Sequence, residues 1–500
     1  MNFFCRSKMV LMSASLGVVL LTTCTANAAV KVIENAEGQD DLTVFQMTVT
    51  PAPEPVPALK YRLTLRPHER KPGNAATRYL RSVWENSLDG YWKNTRDRFG
   101  ADTFDSWYGR TLAIEDLPLK DVREAARGFV SYVEGHIDPA SRSRECDWGL
   151  EEEDLRGMDT ISFLLPDAQG SRRICRVLAL LTRFAIAEHR YDDAIEYMRM
   201  NYQLGQDISK QLFVVSNLVG LAIVGTTNFT VIDLMAAPNS PNMYWAIAEL
   251  PRPIVDMREA IRLEMSWGPR FIPALLDAEI TEHSVEEWAR LFTESIEYTQ
   301  HVITNSDFPW PGAGLLSELA TTGLTLVSYP AAKRRLVQSG FDRDRVETMA
   351  VGQVMLVDAA RECRRIADDY EKWWYADFLQ GREGVRETQE VFRNDRLDRG
   401  LGSLLAKVLL PALSAARNAE MRVEWQMRAL QIVEAIRMHA ATAETLPRSL
   451  DEIDVVPVPL NPVTLKPYQY RLDGQTAVLD LPFSDGIRTV AWRFEITLAE

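Results

Sequence analysis

The chain has 500 residues, 46% of them hydrophobic, with 56 basic against 70 acidic side chains and a formal charge of −14 at pH 7. That hydrophobic share supports a large buried core, and the length predicts two or more domains. So acidic a chain is poorly suited to phosphate backbones or anionic lipid surfaces, which removes nucleic acid from the expected partners.

In chain order, Arg6 and Lys8 precede the apolar run Met9–Leu21, and Ala26-Asn27-Ala28 follows. Basic flank, short apolar core and small-residue ending are the pattern of a secretory signal peptide over residues 1–28, cleaved after Ala28. The run is shorter than the about 20 apolar residues of a membrane span. A lipid anchor on Cys24, after Leu21-Thr22-Thr23, is the alternative. Cleavage removes Arg6 and Lys8 and no acid, moving the formal charge from −14 to −16. The expected location is periplasmic or extracellular, with no stable membrane span after cleavage.

Residues 29–60 read as a short strand near Leu42–Val49, then a spacer in which Pro51, Pro53, Pro55 and Pro57 alternate. Proline fixes φ and removes a donor, so such a stretch is extended. Residues 61–400 then read as helices. Val122, Ala125, Ala126, Phe129 and Val133 share one face, and Glu151–Asp154 is a solvated acidic run without the spaced ligands of a calcium loop. "LALLTRFAIAEHRYDDAIEYMRMNYQLGQDI" is a helix pair broken at Tyr191-Asp192-Asp193-Ala194. It resembles one tetratricopeptide-like unit, with no second copy at a fixed period.

Phe213–Ile232 carries no charge, yet Ser216, Asn217, Thr226, Thr227, Asn228 and Thr230 interrupt it, which points to a core helix rather than a membrane span. Residues 342–380 predict a long amphipathic helix with the buried seam Leu356, Ala360, Cys363, Ala367, Tyr370 and Trp374. Its wet face offers the pairs Arg364–Asp368, Arg365–Asp369 and Asp368–Lys372. The charged stretch from Leu379 to Gly400 is the expected hinge.

Residues 401–500 predict a long helix, ended by Leu446-Pro447, and a three-stranded antiparallel sheet. Asp473-Gly474 is a hairpin turn between Tyr468–Leu472 and Thr476–Leu481, and Thr489–Leu498 sets Val490, Trp492, Phe494 and Ile496 on one face. The fold class expected is mainly α: an irregular helical-hairpin domain with a separate C-terminal α+β cap.

The segments "ALKYRL" with "PGNAA", "PNMYWAIAELPRPIVDMR", "VGQVML" and "LPRSLDEI…VPVPLNPVTLKPYQYRL" resemble a group of uncharacterised secreted bacterial proteins, a likeness that covers most of the chain after residue 58 and brings no activity with it. The helix "LLPALSAARNAEMRVEWQMRALQIVEAIRMHAA" and the proline-rich β-motif are similar to the helix and distal sheet of type II secretion pseudopilins. There the motif runs Asp-Pro and then Gly-Lys-Pro-Tyr; here Asn461 and Leu465 stand where the Asp and Gly do. With the pseudopilin processing site also missing from this region, the resemblance implies a shared fold rather than pilus assembly.

Chemistry is faint in the sequence. His68, His136, His189, His283, His301 and His439 fall in no metal-ligand spacing, and no CxxC, GxSxG or phosphate-binding glycine loop occurs. No metal, cofactor or catalytic residue is assigned. Of Cys146, Cys175 and Cys363, the first two are the pair to test for a disulfide. The leading expectation is a non-enzymatic exported protein for protein interaction or envelope organisation, with the protein partner and oligomeric state open. The alternative is a carbohydrate-binding or carbohydrate-cleaving protein that stacks sugar on Trp310, Trp107 and Tyr108 and uses carboxylates that leave no local signature. A secretion-system accessory is the third reading.

Overall fold

The structure, a computed structural model, describes residues 30–34, 41–85, 88–150, 166–266, 270, 272–276, 278–305, 318–393, 400–484 and 489–499. The signal segment with Cys24, the acidic run Glu151–Asp154 and Trp310 lie outside the described residues. The chain is mostly helical with a small sheet at its C-terminal end. In order come β1 (Val30–Glu34), β2 (Leu42–Val49), α1 (Leu88–Phe99), α2 (Ala101–Trp107), α3 (Leu119–Tyr132), α4 (Pro166–Ala187), α5 (Tyr191–Ile208) and α6 (Val214–Met235). They are followed by α7 (Val285–Asn305), α8 (Glu318–Gln338), α9 (Val351–Glu371), α10 (Phe378–Arg393), α11 (Gly400–Ala443), β3 (Gln469–Asp473), β4 (Thr476–Ser484) and β5 (Thr489–Leu498).

The helix pair read from the sequence is α4 and α5, which turn at His189 and restart at Tyr191, with Ala194 fully buried between them. Helix α6 packs on both. A Cβ on Gly220 would lie 2.5 Å from the carbonyl of Gly205, so α5 and α6 approach more closely than any side chain permits there. Helix α6 is long and apolar enough to cross a membrane by composition, but 67% of its apolar window is buried inside the protein. Several of its polar side chains find partners within that interior, although the side-chain oxygen of Asn217 has none. Asn228 accepts from the Tyr202 hydroxyl at 2.7 Å and donates to Gln426 of α11 at 3.1 Å. Asn217, fully buried, donates to the carbonyls of Ser209, Gln211 and Phe213 at 3.0–3.1 Å and so closes the α5–α6 connection.

The seam on α9 is buried as its spacing predicts, with Leu356, Ala360, Tyr370 and Trp374 at 3% exposure or less. The long helix expected over 342–380 is interrupted, however. Asp342 caps a short helix, Arg343–Thr348, and α9 starts afresh after an extended Ala350. Arg365 pairs with Asp369 as expected, whereas Arg364 reaches Glu279 instead of Asp368, and Lys372 takes Asp369. The expected hinge is helix α10 as far as Arg393, seated so closely that a Cβ on Gly384 would meet the Trp373 ring at 2.2 Å.

The sheet has five strands rather than three and is mixed, in the order β1-β2-β5-β4-β3. Strand β2 runs parallel to β5, with Phe45 opposite Phe494 and Met47 opposite Ile496. The apolar alternation of β5 leaves one edge that nothing in the C-terminal segment covers, and β2 carries the matching alternation. Phe45 stacks on Phe494 with ring centroids 4.8 Å apart, and Trp492 meets Phe45, Phe229 of α6 and Trp425 of α11 within 5.4 Å. One apolar core therefore runs from the N-terminal strands through α5, α6 and α11 into the C-terminal sheet. The proline-rich spacer is part of that body too. The Ala52 amide donates to the Arg437 carbonyl at 3.1 Å, and Asn242 donates to the Ala52 carbonyl at 3.2 Å.

Cys146, Cys175 and Cys363 are free thiols, so the Cys146–Cys175 bridge does not form.

Asn217→Leu should lower stability by about 1–3 kcal/mol, because it removes the side-chain donor from the carbonyls of Ser209 and Gln211. Urea unfolding of the full chain measures this. An unchanged midpoint would mean that the α5–α6 connection does not depend on that amide.

Candidate functional site

The most chemically furnished concavity is a cleft of about 690 Å³ whose floor is the face of α11 that carries Arg417, Glu420, Glu424 and Arg428. Steps of three and four residues place these side chains on one side of a helix. Opposite runs the segment Arg252–Arg258; the α9–α10 junction, with Trp374, Asp377 and Phe378, forms a third wall, and Leu460–Leu465 forms the lip.

Charges are held in local pairs. Arg258 grips Asp256 through Nε and Nη2, at 2.9 and 2.5 Å to its two carboxylate oxygens, and this holds the Asp256 carboxyl below the usual range. Arg417 donates to Glu420 at 3.1 Å and to the Ala376 carbonyl at 3.1 Å, with its guanidinium 5.0 Å from the centre of the Trp374 ring. Burial pushes the Glu420 carboxyl up to about 7, against the opposing pull of Arg417. Near neutral pH it is divided between an acid that donates and a carboxylate that accepts. Arg252 and Arg428 both donate to the same oxygen of Glu424, Oε1.

Three polar atoms of the wall, Trp374 Nε1, Arg417 Nε and Glu424 Oε2, are buried without a hydrogen-bond partner, as is the hydroxyl of Tyr468 just behind. Tyr468 lies within electrostatic reach of Arg428, Glu424 and Arg252, and burial raises its phenol. Each such group costs on the order of 1–3 kcal/mol where nothing compensates it, and four together set this region apart.

The lip adds a conformational cost. Leu465 has φ +56°, a left-handed conformation that favours glycine, and its side chain is 68% exposed. Asn461 enforces this geometry: its side-chain oxygen accepts from the amides of Val463 and Thr464, its carbonyl accepts from the Leu465 amide at 2.8 Å, and its amide donates to the Lys466 carbonyl. Leu379 and Leu460, also exposed, share the rim.

The aromatic residues singled out from the sequence do not meet here. Trp107 is 1% exposed and packs against Phe99 and Phe104, because the face of α2 that carries it closes the N-terminal helical core. Tyr108 is half-buried, its hydroxyl donating to Asp105 at 2.7 Å and its ring against Trp92. Neither offers a free face to a sugar, and Trp310 lies outside the described residues. Burial pushes the Cys175 and Cys363 thiols up to about 11 and about 12 and raises Cys146 further, so none is a thiolate nucleophile at neutral pH. Among the described residues no three His, Cys, Asp or Glu side chains gather as a metal site. A smaller cavity, about 270 Å³ and bordered by Val30, Ile114 and His189, holds one half-buried acid, Asp233, already paired with Arg183 at 3.0 Å.

The cleft was not assigned from the sequence, though two of its walls come from stretches legible as motifs, "PRPIVDMR" and "LNPVTLKPY". Comparison with family models, curated proteins and solved structures finds no match for this chain.

Leu465→Gly should stabilise the protein by about 1 kcal/mol, since glycine adopts the left-handed conformation without strain and little packing is lost. A rise in urea midpoint at constant slope is the expected reading. A fall would show that the leucine supports the fold rather than the cleft.

Proposed function

We propose that the chain is an exported, non-enzymatic helical protein whose work is binding, and that the cleft on α11 receives the ligand. The observation that carries this reading is the concentration of unpartnered buried polar atoms, Trp374 Nε1, Arg417 Nε and Glu424 Oε2, in the wall of one concavity. Its volume falls within the range of about 300–1,000 Å³ typical of small-ligand sites. Binding is favoured over catalysis because each of its four guanidiniums is held by a carboxylate and the thiols are buried and protonated. Export is supported by the basic flank, apolar run and Ala26-Asn27-Ala28 ending.

The test is equilibrium dialysis of the full chain against four solute sets: free amino acids and short peptides, organic anions, amines, and neutral sugars. At least one set should be retained, and Arg417→Met should reduce retention at least tenfold while circular dichroism stays native. Arg258→Gln, at a more exposed position, serves as a second variant. Retention of no set, or equal retention by wild type and both folded variants, would overturn the assignment.

A further inference from the structure

We infer that the ligand of the cleft is a short linear peptide with both ends free, its ammonium group at the Asp377–Glu420 end and its carboxylate at the Arg252–Arg428 end. This deepens the binding reading above and rests on it.

The cleft is dipolar along α11. At one end Arg252 and Arg428 converge on a single oxygen of Glu424, leaving two guanidiniums to one carboxylate. A ligand carboxylate would restore the balance there, and paired guanidiniums suit its geometry. At the other end Arg258 is paired with Asp256 and Arg417 with Glu420, which leaves Asp377 as the carboxylate without a guanidinium of its own. Asp377 is exposed and forms no ion pair among the described residues, which leaves it open to an ammonium group.

Length selects among dipolar ligands. Glu420 and Arg428 are eight residues apart on one helix, about 12 Å at 1.5 Å per residue. A single amino acid cannot reach both ends. An extended chain of three or four residues covers about 10–14 Å and can. Leu379, Leu460 and Leu465 offer exposed apolar side chains on the rim. Leucine at φ +56° is a conformational expense at a solvated position, and contact with a ligand side chain gives it a purpose.

The probe is an equimolar mixture of free tripeptides with apolar side chains, dialysed against the full chain and read by mass spectrometry. Parallel cells hold the same mixture acetylated at the N-terminus or amidated at the C-terminus, and the corresponding single amino acids. Free tripeptides should be retained at least tenfold better than either blocked form and than the amino acids. Asp377→Asn should weaken the free tripeptides several-fold without affecting the acetylated ones. Leu465→Gly should weaken retention several-fold in a protein that is still folded. Equal retention of blocked and free peptides, or retention of sugars, anions or amino acids in their place, would overturn the peptide assignment while leaving a binding cleft. Retention of no solute at all would overturn both.

Discussion

Arg437 is completely buried, and its guanidinium joins three parts of the chain that are far apart in sequence. It donates to both oxygens of Glu434 at 2.9 and 3.1 Å, to the Ser240 carbonyl at 2.9 Å and hydroxyl at 2.8 Å, and to the Thr50 carbonyl at 3.2 Å. Glu434 is equally buried. Breaking such a pair by removing one partner leaves an uncompensated charge in the interior, at a cost of about 3–5 kcal/mol. Around it Asn242 bridges the carbonyls of Ala52 and Glu434. The exit from β2, the turn after α6 and the last third of α11 are thereby fixed to one another. That fixation aligns β2 with β5, and the aromatic contacts of Phe45, Trp492 and Phe229 follow from it.

The same helix performs two tasks along its length. From Trp425 to Met438 nearly every side chain is buried, because α6, α9 and the sheet surround it. Nearer its start, the face with Arg417, Glu420 and Glu424 opens onto the cleft. The rigidity needed to hold polar groups without partners comes from the buried part. The lip obeys a related logic: the chain leaving α11 returns through Leu450 and Ile453, both buried, so Asn461 has a fixed base from which to hold Leu465 outward.

Local signals were legible in the sequence. The α4–α5 break at Tyr191, the buried seam of α9, the core character of α6 and the Asp473-Gly474 hairpin all follow from periodicity and turn chemistry, and these are properties of contiguous residues. The partner of β5 was not legible, since Gln46 and Glu495 meet across a separation of 449 residues and alternation in β2 does not name its neighbour. The proline stretch reads as a spacer because its hydrogen bonds run to α11 and to Asn242, again far away in sequence. Trp107 could not be distinguished from an exposed aromatic, as "DSWYGR" has too few apolar residues to mark a buried face. The cleft stayed hidden for the same reason. Its acids and arginines come from three separate segments, and the local signs, the "PRPIVDMR" and "LNPVTLKPY" motifs and Leu465 in a glycine position, do not say that these segments meet.

The central claim is that the N-terminal strands, the helical body and the C-terminal sheet unfold as one unit. Native-state hydrogen exchange across Leu42–Val49, Val214–Met235 and Thr489–Leu498, followed through increasing urea, tests it most directly. The slowest amides of all three segments should share one opening free energy and one urea dependence, and Arg437→Met should lower all three together. A sheet whose amides open at a distinctly lower free energy, with no response to Arg437→Met, would contradict it.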